Sequence, residues 1–233
     1  MSKSNLFNQF EAVVLFDCET NGLDPEKNQI IELAALKVTK DGKTKEMDVF
    51  IKLPDGQKLP ERIVSLTGIT DEMLQNEGIT EAEAAGLFTG LLSPKVPMLL
   101  VAHNMQFDLM FSLALFKRTS LSPEARIKAL DTLTVYKDRA KYPHKLADAI
   151  KNYNLEDKVR NSHRAIDDVK ALYEVLKAMD QERPDLADYI NLFGYNPKYG
   201  VSGTKLQGIT YEAQSYYSQS RLPDILRSKG VRK

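Results

Sequence analysis

Two acidic residues at the end of a predicted strand are the first candidates for chemistry in this 233-residue chain. Asp17 ends the short apolar run AVVLFD, and Glu19 follows it just before a segment rich in turn formers, TNGLDPEKN. This pattern predicts a buried strand that ends in a loop. Because side chains alternate faces along a strand, both carboxylates should point the same way and raise each other's pKa unless a cation or a basic group lies between them. Acidic pairs also occur at solvated strand ends, so the pair needs support from elsewhere in the chain.

Asp108 is predicted to lie on a buried helix face. It belongs to the segment NMQFDLMFSLALFKR, which is apolar on most of its helical circumference. Its neighbours at helical spacing are Met105, Phe111, Ser112 and Leu115. An ionised carboxylate on such a face is costly unless it is paired or binds a metal. The alternative is a partly hydrated aspartate that the helix dipole favours near a helix N-terminus.

The segment NSHRAIDDVKALYEVLKAM contains two adjacent aspartates that helical geometry separates. Asp168 falls within the apolar stripe and is predicted to face inward, whereas Asp167 is predicted to face solvent. Ser162 or Asn161 is a candidate N-cap. A cap there would place His163 at the start of the helix, with its side chain projecting toward a cleft.

Carboxylates at positions 17, 19, 108 and 168 would together favour two divalent cations. Four hard oxygen ligands suit Mg²⁺ or Mn²⁺ better than zinc, and they are too many for one magnesium ion that keeps several waters. Two ions about 3.5–4 Å apart can activate a water and stabilise the leaving oxygen of an in-line displacement at phosphorus. His163 is the candidate general base, because an imidazole can be neutral and basic at physiological pH.

The remaining elements predict an α/β fold with a mixed sheet. Strands are expected at QIIELAALKV and MDVFIKL, forming an antiparallel meander with the first, and later at PMLLVAH and IKALDTL. Helices are expected in PERIVSLTG, after caps at Thr70 and Thr80, and over NMQFDLMFSLALFKR. Further helices are expected over roughly 133–140, 144–153, 163–179 and 184–192. Strands first, then strands alternating with helices, indicate a sheet with helices packed on it.

Composition narrows the class of protein. Apolar residues make up 42% of the chain, which supports a packed core, and no apolar run approaches the ~20 residues of a membrane span. The single cysteine, Cys18, cannot form an internal disulfide, so we expect a protein of the reducing cytoplasm. Net charge is zero, yet residues 196–233 contain seven basic and two acidic residues, a local charge of plus five. That basic segment could attract phosphates or simply be a solvated terminus.

A change of composition near Leu192 predicts a boundary between residues 1–192 and a small extension, residues 193–233. The extension is rich in Gly, Ser, Asn and Tyr. Its role is open: a small β-rich appendage, an arm that docks a polymerase or another protein, or a guide for single strands. Its tyrosines, interleaved with basic residues, would suit stacking on bases or a small packed core (Tyr195, Tyr199, Tyr211, Tyr216, Tyr217).

Taken together, these segments resemble the DEDDh exonucleases, the DnaQ-like group that includes proofreading subunits of bacterial replicative polymerases. LFDCETNGLDP is similar to the first family motif, VAHNMQFDLMF to the second, and NSHRAIDDVKALYEVL to the third, in the form H-x-A-x-x-D. The resemblance covers approximately residues 12–178. Relatives of the tyrosine type carry a tyrosine where this chain has Arg164, so His163 marks the histidine type. The resemblance implies a ribonuclease H-like fold with a five-stranded mixed sheet flanked by helices.

The resemblance also implies roles for individual residues. Asp17 would bridge both cations, Glu19 would hold one and orient the water, and Asp108 and Asp168 would complete the metal sites. Thr20, Leu23, Asn104 and Phe107 would contact the 3′ nucleotide, with Leu23 as an apolar wedge against its base. For these last four, the alternative is a role in packing and loop structure.

The implied activity is release of single nucleoside monophosphates from a free 3′ end, with DNA favoured over RNA and single-stranded ends over duplex. Lys137, Arg139, Lys141 and Lys145 are candidates to meet the phosphates; the alternative is a solvated helix face. Two alternative functions remain open: an exoribonuclease that trims RNA, and a non-catalytic binding module of the same fold. No polymerase motif is present, so a proofreading role would need a separate partner.

Overall fold

The computed structural model describes residues 5–92, 95–121, 123, 127–160, 163–216 and 220–230. The strands are β1 (Ala12–Thr20), β2 (Ile30–Thr39), β3 (Thr44–Phe50), β4 (Met98–Ala102), β5 (Ile127–Asp131), β6 (Leu192–Tyr195) and β7 (Thr210–Ala213). The α-helices are α1 (Glu61–Thr67), α2 (Asp71–Glu77), α3 (Glu81–Leu91), α4 (Met105–Thr119), α5 (Thr132–Lys137), α6 (Leu146–Asn152), α7 (Ala165–Glu182) and α8 (Leu222–Ser228). Short 3-10 helices occupy Asn5–Asn8 and Leu186–Tyr189.

Five strands form one mixed sheet in the order β3-β2-β1-β4-β5, which confirms the predicted α/β fold class. β1, β2 and β3 pair antiparallel, as the predicted meander requires. β4 pairs parallel with β1, and β5 pairs parallel with β4. Parallel neighbours end at the same edge of a sheet. The ends of β1 and β4 therefore bring the first and second sequence motifs together.

Apolar side chains cover both faces of the sheet. On one face, α7 packs its stripe of Val169, Leu172 and Val175 into the cluster that contains Val13 and Leu15 of β1. On the other face, α3 and α4 contribute Phe88, Phe111 and Phe116 to the cluster that contains Phe16. Because helices cover β1 on both faces, the polar residues at its C-terminal end lie next to the buried core.

Local capping chemistry sets the start of two helices as predicted. Thr70 accepts a hydrogen bond from the Met73 backbone N–H at 3.2 Å. Thr80 and Glu83 form a reciprocal capping box, in which the Thr80 backbone N–H donates to the Glu83 carboxylate at 2.8 Å. Such caps satisfy backbone donors that the first helical turn leaves free.

Several helix boundaries differ from prediction. α7 begins at Ala165, not at His163, because His163 has a φ of 55° and Arg164 is extended. The candidate caps Asn161 and Ser162 lie outside the described residues. The helix expected over 184–192 is only a 3-10 turn, and the helix expected from position 144 begins at Leu146.

The segment after position 192 packs on the rest of the chain. β6 and β7 form a two-stranded parallel sheet, and Leu192 and Phe193 enter the cores on the two faces of the main sheet. Leu222 and Leu226 of α8 join the core beneath α7. Division of the chain at residue 192 stays a prediction. Among the described helices, none combines the length and apolar character needed to cross a membrane.

Candidate active site

The end of β1 carries two carboxyl groups whose ionised forms are destabilised by their surroundings. Burial raises the pKa of Asp17 from 3.8 to about 8, with further contributions from the charges of Asp168 and Glu32. Burial, followed by the charge of Asp17, likewise raises the pKa of Glu19 to about 8. The Cys18 side chain between them packs in the opposite apolar cluster, as strand alternation predicts. Both carboxyls would therefore gain free energy from a bound cation.

Asp108 approaches the same strand end from α4. It is 2% exposed, and its helical neighbours Met105, Phe111 and Leu115 are fully buried, as the spacing predicts. The Cys18 backbone N–H donates to Asp108 Oδ1 at 3.1 Å, which ties the helix to β1. Burial and the charge of Asp17 raise the pKa of Asp108 well above its usual value, against the lowering effect of this hydrogen bond.

The third element is α7, whose first turn supplies Asp168, while His163 lies just before the helix. Asp168 is 7% exposed, so its predicted inward orientation is confirmed. Asp167 is half-buried, with its charge acting on the Arg164 guanidinium, and is therefore less solvated than predicted. Ligand atoms of Glu19, His163 and Asp168 all lie within 4.8 Å of one another. His163 itself is exposed at the rim of this cluster.

A fifth carboxylate, Glu32 of β2, was not singled out from the sequence. It pairs directly across the sheet with Glu19 and is fully buried. Its Oε1 accepts from Arg164 Nε at 2.9 Å and lies 2.8 Å from Arg164 Nη2, while its Oε2 accepts from the Ala165 backbone N–H at 2.9 Å. Glu32 thus fastens the start of α7, next to His163, to the sheet. The available signal was a single charge inside the apolar run IIELAAL.

The four candidate nucleotide contacts lie at the end of β1, in the loop after it, and at the start of α4. Thr20 is buried and its hydroxyl donates to the Gly22 carbonyl at 2.6 Å, which braces the loop after β1. Leu23 in that loop is 72% exposed. Asn104 has a φ of 79° and its backbone N–H donates to Asp131 Oδ1 at 2.9 Å. Phe107 is half-buried, with its ring centroid 4.8 Å from that of Phe111. Contact of these residues with a nucleotide stays a prediction.

Arg139 is not available to meet phosphates, and that expectation is wrong. Its side chain is fully buried and bonds to the Met179 carbonyl, Glu182 and Asp185. A guanidinium with five donors in a fixed fork suits such multiple anchoring. Lys141 and Lys145 are exposed and Lys137 is half-buried, and none of the three forms an ion pair with another described residue.

The donor set of this cluster fits hard divalent cations. Carboxylates at positions 17, 19, 108 and 168 converge from three elements. Burial, followed by the charges of neighbouring carboxylates, raises the pKa values of the first three. Arg164 is the cationic group that acts on Glu19, and it is already bonded to Glu32. Oxygen ligands of this kind suit Mg²⁺ or Mn²⁺. Among the described residues, negative charge in the cluster therefore exceeds positive charge, and binding of a cation would stabilise it.

The sequence of this chain is similar to the sequences of known nucleic-acid enzymes. A family model described as Exonuclease matches residues 14–176. Similar proteins include the PolC-type DNA polymerases III of Halalkalibacterium halodurans, 37% identical over 171 residues, and Bacillus subtilis, 34% identical over 174 residues. These matches cover 71% and 72% of this chain and 11% of each polymerase. The chain thus corresponds to a small part of the length of these relatives.

Solved structures of E. coli Exonuclease I share the fold. One, in complex with a dA16 oligonucleotide, has a TM-score of 0.64 and 21% identity, and the match covers 77% of this chain and 42% of that chain. A further structure of an Exonuclease I gives a TM-score of 0.67 at 22% identity, and the match covers 77% of this chain and 43% of that chain. At these identities the likeness establishes the fold alone.

The mixed five-stranded sheet flanked by helices is the ribonuclease H-like fold, and the acids gather at the end of its central strand, β1. The chain belongs to the exonuclease family, and within it to the DnaQ-like 3′→5′ exonucleases.

Proposed function

We propose that this chain is a metal-dependent 3′→5′ exonuclease that releases nucleoside monophosphates from the 3′ ends of DNA, with single-stranded ends preferred. The observation that carries the proposal is the convergence at the end of β1 of acids from β1, α4 and α7 beside the exposed His163. An apolar environment and mutual repulsion leave these acids poorly compensated without cations.

Two Mg²⁺ or Mn²⁺ ions would be held by Asp17, Glu19, Asp108 and Asp168. Asp17 would be the central ligand of the set, because its charge acts on Glu19 and Asp108 and the charge of Asp168 acts on it. When bound, the ions would supply Lewis-acid stabilisation of negative charge at the scissile phosphate. A non-catalytic binding module of the same fold would have no use for this charge arrangement.

The protein's own groups would handle the water and the leaving nucleotide. His163 would accept a proton from the attacking water, because it is exposed at the rim and lies within 4.8 Å of Glu19 and Asp168 ligand atoms. Glu19 would orient that water. Leu23 would lie against the terminal base, where its 72% exposed side chain is free to do so, and Thr20, Asn104 and Phe107 would line the same pocket.

The preference for DNA is supported by the relatives. Those named above are DNA polymerases, and one structural neighbour was solved with a deoxyadenylate oligonucleotide. A cytoplasmic location is part of the proposal, as is a DNA polymerase or other protein partner that docks on residues 193–233. A proofreading role would depend on that partner.

The test is cleavage of 5′-labelled and 3′-labelled single strands of DNA and RNA of one sequence, with Mg²⁺, Mn²⁺ or a chelator. We expect stepwise shortening of 5′-labelled DNA, immediate release of a 3′ label as a mononucleotide, and loss of both with chelator. Faster shortening of RNA would replace the DNA assignment with the exoribonuclease alternative. Absence of cleavage with either metal would refute the proposed activity.

Asp168→Asn and Asp167→Asn form a matched pair for the same assay. Both remove one charge from the first turn of α7, but only Asp168 faces the cluster. We expect Asp168→Asn to lower kcat by about a hundredfold or more and Asp167→Asn to stay within about threefold of the wild type. The opposite ranking would show that the wrong acid has been assigned to the metal site.

A further inference from the structure

Three aromatic rings lie together beside the candidate active site and none of them has a role in the proposed chemistry. Tyr142 and Tyr216 are 5.6 Å apart between ring centroids, and the His144 ring is 5.8 Å and 5.3 Å from them, respectively. The Tyr136 ring packs edge to face against the His144 ring, with 5.6 Å between the ring centroids. We call the set Tyr142, His144 and Tyr216 the tyrosine platform.

The platform is exposed on its outer side. Tyr142 is 71% exposed and Tyr216 is half-buried, whereas His144 is 6% exposed and forms the floor between them. The His144 ring is held by a hydrogen bond of 2.9 Å from Nε2 to the Ala140 carbonyl. The exposed Tyr142 ring therefore presents an apolar face next to two further rings, and such a face gains from a partner that stacks on it.

A short chain of contacts joins the platform to the second sequence motif. The His144 carbonyl accepts from His103 Nε2 at 2.9 Å. His103 directly precedes Asn104, which begins α4, and the first turn of α4 carries Phe107 and Asp108. The platform therefore lies next to the proposed nucleotide pocket and outside it.

Three lysines lie near the platform in space or in the chain. Lys137 Nζ lies 5.8 Å from the centroid of the Tyr216 ring. Lys141 and Lys145 flank Tyr142 and His144 in the chain and are exposed. As described above, these three lysines form no ion pair with other described residues. Aromatic faces combined with lysines that have no ion-pair partner in the described part of the chain match the bases and phosphates of a single nucleic-acid strand.

We propose that the tyrosine platform is a stacking site for the bases that precede the 3′ nucleotide of a single strand, with Lys137 and its neighbours on the phosphates. This inference rests on the proposed exonuclease function and adds a second contact region to it. The C-terminal segment contributes Tyr216, so it would take part directly in holding the strand.

Two substrates of different length separate the platform from the active site. The p-nitrophenyl ester of thymidine 5′-monophosphate offers one nucleoside, whereas an oligothymidylate about twelve nucleotides long also reaches the platform. For Tyr142→Ala we expect KM for the oligonucleotide to rise about fivefold or more, with kcat/KM for the ester unchanged. Tyr142→Phe keeps the ring and should behave as wild type. Because Tyr142 is 71% exposed, neither variant should disturb folding.

Removal of the bases gives an independent measurement. For the wild type, KM should be higher for an oligonucleotide whose 3′ thymidine is preceded by abasic positions, by about the factor that Tyr142→Ala causes with the normal oligonucleotide. Tyr142→Ala should not raise KM further for the abasic substrate. Equal KM values for the oligonucleotide in wild type, Tyr142→Ala and Tyr216→Ala would overturn the platform. A parallel loss on the ester would also overturn it, because the effect would then lie in the active site. If the wild type cleaves neither substrate, the proposed function fails.

Discussion

Metal-free protein should lose stability as the pH rises toward 8, because of Asp17 and Glu19. Each has a pKa of about 8 in the folded chain, against 3.8 and 4.5 for the free side chains. A carboxyl whose pKa is raised on folding stabilises the fold through its neutral form. That contribution is complete below about pH 4 and is lost as the pH rises through the folded value near 8.

The expected slope follows from the protons bound. At pH 7 a group with a pKa of about 8 is roughly nine-tenths protonated in the folded chain and almost fully ionised in the unfolded chain. The free energy of unfolding should therefore fall by about 1 kcal/mol per pH unit for each carboxyl, and by at most about 2 kcal/mol per pH unit for both. Because Asp168 acts on both groups, the protons leave the cluster in shared steps, and a total between these values is expected.

The assay is urea denaturation with a chelator at several pH values between about 6 and 8. The chain has no tryptophan, so far-ultraviolet circular dichroism is the suitable probe. Asp17→Asn with Glu19→Gln is the control, because it removes both titrations and keeps the shapes. The difference between wild type and control cancels other groups, such as His103, whose pKa burial lowers. Added Mn²⁺ should flatten the wild-type slope. Equal slopes in wild type and control without metal would refute the reasoning.

Three further predictions concern single side chains around the cluster. His163→Gln should lower kcat by about a hundredfold while Mn²⁺ affinity, measured by titration calorimetry, changes little; a large loss of affinity would make His163 a ligand instead of a base. Arg164→Ala should lower the free energy of unfolding by about 3–5 kcal/mol because it leaves Glu32 buried and unpaired, and adding Glu32→Gln should restore part of that loss; no restoration would contradict the pairing. Leu23→Ala should raise KM for DNA about three- to tenfold without changing the urea midpoint, and an unchanged KM would remove Leu23 from the nucleotide pocket.

Local periodicity was sufficient to orient the acids. Alternation along β1 places Cys18 opposite its neighbours, and helical spacing predicts the burial of Asp108 and Asp168. These predictions succeed because each depends on one element and its own repeat. Capping at Thr70 and Thr80 succeeds for the same reason, since each cap bonds within three residues of itself.

Long-range pairs had no such local signal. Glu32 and Arg164 are separated by 132 residues, and their contact depends on the packing of α7 against β2. Arginine side chains usually lie at the surface, but the end of α7 and the turn after it enclose the side chain of Arg139. The start of α7 was misplaced by two residues because the positive φ of His163 depends on the same tertiary contacts.

The anchoring of α8 limits how this chain can be shortened. Asp138 accepts hydrogen bonds from Gln214 Nε2 at 2.8 Å and from the Leu222 backbone N–H at 2.6 Å, while Asp185 pairs with both Arg139 and Arg221. A truncation near residue 192 would keep the two aspartates and remove three of their partners. It would also expose the apolar core residues that Leu222 covers. In an expression or fusion experiment, such a deletion would act as a set of simultaneous core substitutions, and the catalytic part should be produced with this segment attached.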